Sequence, residues 1–254
     1  MGKTFCALWL GVIFCICSMG AEAYVMPPEQ LIDYMGDKFG VFKSLIIAQK
    51  TVVIDPQDGR ESNSFEEKIW IKTPGFYKSQ VISGQGNSAA AADESFSNSF
   101  RQLLMVNSRQ YLLMLLAKFG IDLESSSYTR LDGVIAYSIG AREPGSARLL
   151  LDKETFFPML LEYEVQEVSG LKKVSIRFED YREILGGWYP FKIIYLEGGK
   201  VHEQNTVLDL QANMPLSSGL FRQEAVVEKS RENDIRVDDE HLEEAIKALK
   251  DKYR

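Results

Sequence analysis

The sequence has little of the side-chain chemistry on which most enzymes and metal proteins depend. It contains two histidines, His202 and His241, which stand far apart among charged residues. Its three cysteines, Cys6, Cys15 and Cys17, all lie close to the amino terminus. Motifs typical of serine hydrolases, zinc proteases, phosphate-binding loops and dinucleotide-binding folds are missing. We therefore expect a protein that is not an enzyme and that needs neither a cofactor nor a metal ion.

An excess of positive charge is also lacking. The chain has 29 lysine and arginine residues against 36 aspartate and glutamate residues, which gives a formal net charge of -7 at pH 7. A nucleic-acid-binding domain usually carries a basic patch or stripe. This composition argues against a nucleic-acid partner, and also against attachment to an anionic membrane by charge alone.

The first residues have the pattern of an export signal. Lys3 precedes an apolar run over residues 5–19, and Ala21-Glu22-Ala23 forms a small-x-small cleavage site. An uncleaved anchor is the alternative, but the run is shorter than the roughly 20 residues of a membrane-spanning helix. We predict a signal peptide over residues 1–23, export to the periplasm and a mature chain that begins at Tyr24.

Removal of this leader would remove every cysteine. Disulfides, cysteine-zinc sites and cysteine nucleophiles are then excluded from the mature chain. A lipidated cysteine would follow a small residue, whereas Phe14 precedes Cys15 and Ile16 precedes Cys17. We therefore expect a soluble product without a lipid anchor.

The amino-terminal part of the mature chain predicts a short helix followed by strands. Residues 29–39 carry an uneven apolar stripe that ends at Gly40, a plausible helix stop. A β-branched run follows from about residue 44 and ends in Asp-Pro and Asp-Gly turn signals. Residues 83–95 are rich in glycine, serine and alanine, which indicates a loop.

Aromatic residues cluster in the stretch FEEKIWIKTPGFYKSQVI, residues 65–82. Polar and apolar residues alternate, break at Pro74 and then resume. This predicts two amphipathic strands joined by a turn, which brings Trp70, Phe76 and Tyr77 close together.

The segment over residues 99–120 combines two patterns. Its first half suits a strand. Its second half predicts a helix that starts at Asn107 or Ser108 and runs to Phe119, with Gly120 as the stop. A helix that is apolar on every side has to be enclosed or has to cover an apolar surface. A plain core helix is the alternative.

Strands dominate the second half of the chain. The segments MLLEYEVQEV and KVSIRFEDY alternate cleanly between apolar and polar residues, which indicates strands with one buried and one wet face. The glycine pair Gly198-Gly199 predicts a hairpin between two further strands. The apolar members of the two alternating segments are Leu161, Tyr163, Val165, Val174, Ile176 and Phe178.

Paired carboxylates could in principle supply the acid and base of a glycosidase. Glu162 and Glu164 are such a pair, but they alternate with Leu161 and Tyr163. We therefore predict that both carboxylates lie on a solvated outer face. The sequence favours binding surfaces over catalytic groups.

The end of the chain differs from the rest in composition. Residues 224–234 resemble a linker, and residues 240–250 carry one apolar stripe with acidic residues first and lysines last, which predicts a helix. We predict one main domain over residues 24–223 and a linker with a carboxy-terminal helix over residues 224–254.

The order of several segments resembles one family. The pieces KIWIKTPGFYKSQV, LLLDKETFFPMLLEYEV, FEDYREILGGWYPFKI and PLSSGLF follow the leader and the first helix in the order seen in LolA-like outer-membrane lipoprotein-sorting proteins. The resemblance extends over residues 29–221. One position departs from it, because Thr73 stands where the carrier pattern has a basic residue that helps to hold a lid.

The resemblance implies an α+β fold in which an antiparallel sheet forms an incomplete β-barrel covered by helices. It implies an apolar cavity and a soluble periplasmic carrier of acylated lipoproteins or related lipids, with inner- and outer-membrane envelope proteins as possible partners. An envelope-stress sensor or interaction module with the same fold is the alternative. The candidates for the cavity wall are Trp70, Phe76, Tyr77, Leu113, Leu116, Leu161, Tyr163, Val165, Ile176 and Phe178.

Overall fold

The computed structural model describes residues 24–73, 75–84, 100–106, 108–167 and 170–221. The predicted signal peptide and carboxy-terminal helix lie outside the described residues, as do most of the predicted loop over residues 83–95 and the turn residue Pro74. The chain divides into two compact units, Met1–Ser217 and Ser218–Arg254. The described part of the second unit is one 3-10 turn, Ser218–Phe221.

The described part of the first unit contains three helices and ten strands. The helices are α1 (Pro28–Phe39), α2 (Phe100–Leu103) and α3 (Arg109–Lys118). The strands are β1 (Ser44–Ile54), β2 (Glu61–Lys72), β3 (Phe76–Gly84), β4 (Ser126–Leu131), β5 (Val134–Gly140), β6 (Arg148–Asp152), β7 (Pro158–Glu167), β8 (Gly170–Ile184), β9 (Gly187–Glu197) and β10 (Lys200–Ala212).

All ten strands form one sheet in the order β3-β2-β1-β10-β9-β8-β7-β6-β5-β4. Every neighbouring pair is antiparallel. Pairing of β1 with β10 joins the three amino-terminal strands to the seven that follow the helices. Among the described residues β3 and β4 are the two edges and do not pair with each other, so the sheet is open.

Tight turns explain why consecutive strands pair. Gly198 and Gly199, between β9 and β10, have φ angles of 54° and 81°. Asp132 and Gly133 connect β4 to β5 with φ angles of 51° and 87°. Two consecutive positive φ angles are what a type I′ hairpin turn requires. The hairpin predicted at Gly198-Gly199 is confirmed.

The two predicted helices of the described region are also confirmed. Helix α1 has proline at its first position and Gly40 at its end. The side chain of Ser108 caps α3 by accepting a hydrogen bond from the backbone nitrogen of Tyr111.

The prediction of a strand just before α3 is wrong. Phe100–Leu103 is a single turn of helix, and residues 104–105 continue it as a turn. Phe100, Leu103 and Leu104 are all buried, and their spacing is that of one helix face. Helical spacing therefore buries more of this segment's apolar surface than alternation would.

One face of the sheet and the helices share a single apolar core, and we call this side of the sheet the inner face. Strand alternation places every second residue there, so β1 and β2 each contribute a regular row. The helices contribute Leu31, Ile32, Met35, Phe39, Leu103, Leu112 and Leu116. The inner face contributes Leu45, Ile47, Ile69, Ile71, Ile139, Leu149, Leu161, Tyr163, Val174, Ile176, Phe178 and Ile193.

The prediction of a solvated Glu162 is wrong, whereas its partner Glu164 is exposed. Glu162 is buried opposite Arg148 in the pairing of β6 with β7. The Nε of Arg148 donates to its Oε2 at 2.5 Å, and the Oγ of Ser175 donates to its Oε1 at 3.2 Å. The arginine neutralises the carboxylate, so Glu162 belongs to a structural ion pair rather than to a wet face.

Candidate functional site

Aromatic contacts hold the segment with α2 and α3 against the inner face. The ring of Phe100 lies 5.9 Å from that of Phe178, and the ring of Phe119 lies 4.8 Å from that of Tyr163. These are the tilted geometries that aromatic pairs prefer. The two contacts lie at opposite ends of the segment over residues 100–119, which we call the covering segment.

An ion pair joins the covering segment to α1. The Nε of Arg109 donates to the Oδ1 of Asp33 at 2.6 Å. The hydrogen bond from Arg109 lowers the pKa of Asp33. Because 55% of the Arg109 side chain and 39% of the Asp33 side chain are exposed, the pair contributes little to the stability of the fold.

Eight of the ten predicted cavity residues belong to the apolar core. Leu116, Leu161, Tyr163, Ile176 and Phe178 are buried within it, and three others pack against it while half-buried. These three are Tyr77, Leu113 and Val165.

The other two candidates, Trp70 and Phe76, face away from the core. Trp70 alternates with Ile69 and Ile71, which are completely buried on the inner face. Its ring lies under the Nζ of Lys68, 5.5 Å from the ring centroid, on the opposite face. Phe76 is paired with Lys72 on that same face and is 46% exposed. The expectation that these two aromatics line a cavity is wrong, since the pleat sends them outward.

A polar cluster interrupts the apolar inner face at the end of β1. After Leu45 and Ile47, the inner-face positions of β1 are occupied by Gln49 and Thr51, both almost completely buried. Buried polar groups of this kind are stable only when they are hydrogen-bonded. The partners of Gln49 and Thr51 come from both neighbouring strands and from the covering segment.

Carboxylate and amide groups on β2 and β10 satisfy these side chains. The Nε2 of Gln49 donates to the Oε1 of Glu67 at 2.9 Å and to the Oδ1 of Asn205 at 2.8 Å. The Oγ1 of Thr51 lies 2.7 Å from the same Glu67 oxygen. Asn205 in turn donates to the Oε1 of Glu203 at 2.8 Å. Burial raises the pKa of Glu203, and this hydrogen bond opposes the shift.

Arg101 on α2 reaches into this cluster from the helical side. Its side chain is among the largest that are fully buried, and its Nη1 donates to the hydroxyl of Tyr189 at 2.8 Å. Its Nη2 donates to the Oε1 of Gln49 at 3.2 Å. Its Nε has no hydrogen-bond partner among the described residues. A buried cation therefore ties the covering segment to the sheet, where it interacts electrostatically with the carboxylates of Glu67 and Glu203.

The position before Pro74 lacks the basic residue that the family resemblance implies. Thr73 stands there and donates from its Oγ1 to the carbonyl of Lys43 at 3.2 Å. The turn that follows contacts the covering segment through Gly75, whose backbone nitrogen donates to the Oε1 of Gln102 at 3.3 Å. Among the described residues, Arg101 of the covering segment is a buried cation that connects helix to sheet.

Sequence reasoning missed this cluster. Arg101 was not recognised as part of a polar cluster, because its segment was predicted to be a strand and not a helix that covers the sheet. Gln49 and Thr51 could have been found, since they continue the inner-face row after Leu45 and Ile47. Polar residues at core positions of a strand mark either an error of register or a buried network.

Several solved structures are similar to this chain. A domain of an outer membrane lipoprotein-sorting protein from Vibrio parahaemolyticus matches with a TM-score of 0.44 and 11% identity, over 76% of this chain and 95% of that one. A LolA superfamily protein from Nitrosomonas europaea matches with a TM-score of 0.40 and 14% identity, over 78% and 99%. A DUF1329 family protein from Desulfovibrio piger matches with a TM-score of 0.39 and 14% identity, over 79% and 99%. The first two of these structures carry the name of the family that the sequence resembles.

No family model and no curated protein matches the chain. In the part of the chain that the structure describes, no helix is long and apolar enough to cross a membrane. The same residues contain no group of histidine, cysteine, aspartate and glutamate side chains that could hold a metal ion.

Proposed function

We propose that this protein is a soluble periplasmic carrier that holds an acyl chain of a lipoprotein or related lipid against its inner face. In this proposal the sheet forms an incomplete barrel, α1 and the covering segment close its open side, and cargo passes between membranes in the course of lipoprotein sorting. The observation that supports it is the imbalance between sheet and cover. Among the described residues, helices of 12, 4 and 10 residues cover the largely apolar inner face of a ten-stranded sheet.

A binding site of this kind needs no catalytic group. Transfer of an acyl chain from water to an apolar surface contributes about 0.8 kcal/mol for each buried methylene. Ten buried methylenes would then contribute about 8 kcal/mol before the cost of ordering the chain. The aromatic and aliphatic side chains of the inner face supply suitable surface, and the rings of Phe178 and Tyr163 lie at the contacts that the cargo would have to replace.

The covering segment is the part that would move to admit cargo. It is attached by aromatic contacts at Phe100 and Phe119, by the exposed pair of Arg109 with Asp33 and by the buried Arg101. An acyl chain can offer apolar contacts in exchange for those that it displaces, but it cannot accept the hydrogen bonds that Arg101 donates. The hydrogen bonds of Arg101 therefore define the closed position of the covering segment on the sheet. The apolar contacts around Arg101 can be exchanged for contacts with cargo.

A sensor or interaction module that keeps this fold without loading lipid is the second candidate. The observation that favours it is the completeness of the core, because Phe39, Leu116 and Tyr163 are already almost fully buried by protein. A carrier has to open this core, whereas an interaction module does not. Binding of a lipid probe separates the two functions.

Two adjacent residues of α3 provide a matched test. Leu113 is half-buried and packs against the core, whereas Met114 is 58% exposed. We expect the mature wild-type chain to bind a fluorescent fatty acid saturably and Leu113→Glu to weaken this binding at least tenfold, which corresponds to about 1.4 kcal/mol. An ionised carboxylate beside an acyl chain has to remain solvated or bear a burial cost.

Met114→Glu adds the same charge to the same helix and should bind within about twofold of wild type. Circular dichroism establishes that both variants are folded. Absence of saturable binding by a folded wild-type chain would reject the carrier and favour the sensor. Equal losses of affinity in the two variants would show that charge on the helix, rather than contact with the core, controls binding of the fluorescent fatty acid.

A further inference from the structure

The structure contains a second candidate site at the β4 edge of the sheet. A cleft of about 770 Å³ opens there, and its walls come from the chain before α1, from β4 and β5, and from the loops on either side of β6. We call it the edge cleft. Its lining residues are Tyr24, Tyr128, Thr129, Arg130, Ile135, Arg142, Pro144 and Lys153.

We propose that the edge cleft binds a phosphate ester, either as a free small molecule or as the headgroup of a lipid. Three cations converge on it from three separate parts of the chain: Arg130 from β4, Arg142 from the loop after β5 and Lys153 from the loop after β6. None of its described lining residues is a carboxylate. This concentration of positive charge occurs in a chain whose formal net charge is -7.

The three cations are available to a ligand. Arg130, Arg142 and Lys153 are exposed, and none forms an ion pair with a described residue. The carboxylates close to them in sequence are Asp132, Glu143, Asp152 and Glu154, and two of these have partners of their own. Asp132 forms an ion pair with Arg177, and the Oδ1 of Asp152 accepts hydrogen bonds from the backbone nitrogens of residues 154 and 155. An anion that enters the cleft would meet these cations without displacing a described carboxylate from an ion pair with them.

Internal contacts position the side chains of Arg130 and Lys153 and the backbone of Arg142. The Nη1 of Arg130 donates to the carbonyl of Gly133 at 3.0 Å, and the Nζ of Lys153 lies over the ring of Tyr128, 5.5 Å from its centroid. The carbonyl of Arg142 accepts from the buried Arg148 at 2.9 Å, so its loop is fixed to the pair of Arg148 with Glu162. Cations held in this way lose less conformational freedom when they bind an anion.

The remaining walls favour a phosphate attached to an organic group. Two guanidinium groups can each donate a pair of parallel hydrogen bonds to phosphate oxygens. The hydroxyl of Thr129 adds a further donor, and Tyr24, Tyr128 and Ile135 add surface that a bare inorganic ion would leave uncovered. The volume is also larger than a phosphate group needs.

The edge cleft adjoins the apolar core. The ring of Tyr128 lies 4.9 Å from that of Tyr137, which is a member of the core cluster. A lipid headgroup in the cleft would therefore lie beside the inner face. The site itself does not depend on the carrier function, because its cations would bind a phosphate ester that has no acyl chain.

The test uses the mature chain and two probes. Binding of glycerol 1-phosphate is measured by calorimetry, and binding to vesicles of phosphatidylglycerol in phosphatidylcholine is measured by sedimentation. We expect saturable binding of at least one probe, and we expect it to weaken with added salt as an exposed charge interaction does. Binding of glycerol 1-phosphate alone identifies a free ester as the ligand, and binding of vesicles alone identifies a lipid headgroup.

A charge-matched pair of double variants locates the binding. Arg142→Gln with Lys153→Gln should weaken it at least tenfold, whereas Lys50→Gln with Arg60→Gln, which removes the same charge from exposed positions elsewhere, should leave it within twofold. Arg142→Gln alone, in an exposed loop, serves if the double variant does not fold. Failure of the wild-type chain to bind either probe, or equal weakening in both double variants, overturns the proposal.

Discussion

Replacement of Arg101 by alanine is expected to lower the free energy of unfolding by about 3–5 kcal/mol, the usual cost of removing one partner from a buried charged network. The substitution leaves the hydroxyl of Tyr189 and the Oε1 of Gln49 without their donor. It also leaves Glu67 and Glu203 without their nearby buried cation, and it opens a cavity under α2. Urea unfolding followed by circular dichroism measures the loss.

Two further variants identify the cause. Arg101→Lys keeps the charge but loses the planar fork that reaches two acceptors at once, so its effect should be intermediate. Arg109→Ala removes an arginine of the same covering segment that lies largely in solvent, and it should change stability little. If Arg101→Ala and Arg109→Ala were equally mild, Arg101 would not be the connection between cover and sheet.

Truncation of Phe178 to alanine should also cost about 3–5 kcal/mol, the range for a buried phenylalanine in a close-packed core. Phe178 is almost fully buried on the inner face, and its ring contacts Phe100 at 5.9 Å. The cavity would therefore form at the contact between sheet and covering segment. Thermal and urea unfolding both report the change.

Phe76→Ala is the matched control, because both phenylalanines were predicted from the sequence to line the same cavity. Phe76 is on the opposite face, and its truncation should change stability by less than about 1 kcal/mol. A larger loss for Phe76 than for Phe178 would contradict the assignment of the inner face.

Local patterns predicted the elements of this fold well. The hairpin at Gly198-Gly199, the stop of α1 at Gly40 and the cap of α3 at Ser108 all depend on residues within a few positions of one another. The backbone requirements of turns and caps are local, so the residue types at those positions predict them directly. Alternation likewise identified Leu161, Tyr163, Ile176 and Phe178 as one buried row of side chains.

Long-range pairings could not be predicted in the same way. The pairing of β1 with β10 places Thr51 opposite Asn205. No local sequence pattern in either strand identifies the other as its partner. The polar cluster exists only because this pairing and that of β2 bring Gln49, Glu67 and Asn205 together. Arg148 and Glu162 lie on the consecutive strands β6 and β7, and Glu162 was wrongly expected in solvent because alternation within β7 does not show that the register places Arg148 opposite it.

The orientation of Trp70 shows the limit of an alternating pattern. The residues around it alternate as a half-buried strand should, but alternation defines two faces without saying which one the helices cover. Ile69 and Ile71 face the core, and Trp70 therefore faces Lys68 on the other side. A shift of one residue in the assignment reverses every side chain.

Quenching of tryptophan fluorescence by a brominated fatty acid tests the central claim most directly. Loss of Trp9 with the leader would leave two tryptophans. Trp188 packs against the core, with its ring 5.1 Å from that of Phe157, whereas Trp70 lies on the opposite face. If an acyl chain enters the core, Trp70→Phe should retain saturable quenching and Trp188→Phe should lose most of it. Absence of saturable quenching in the folded wild-type chain, or quenching that depends on Trp70 instead, would contradict the claim that the inner face holds the cargo.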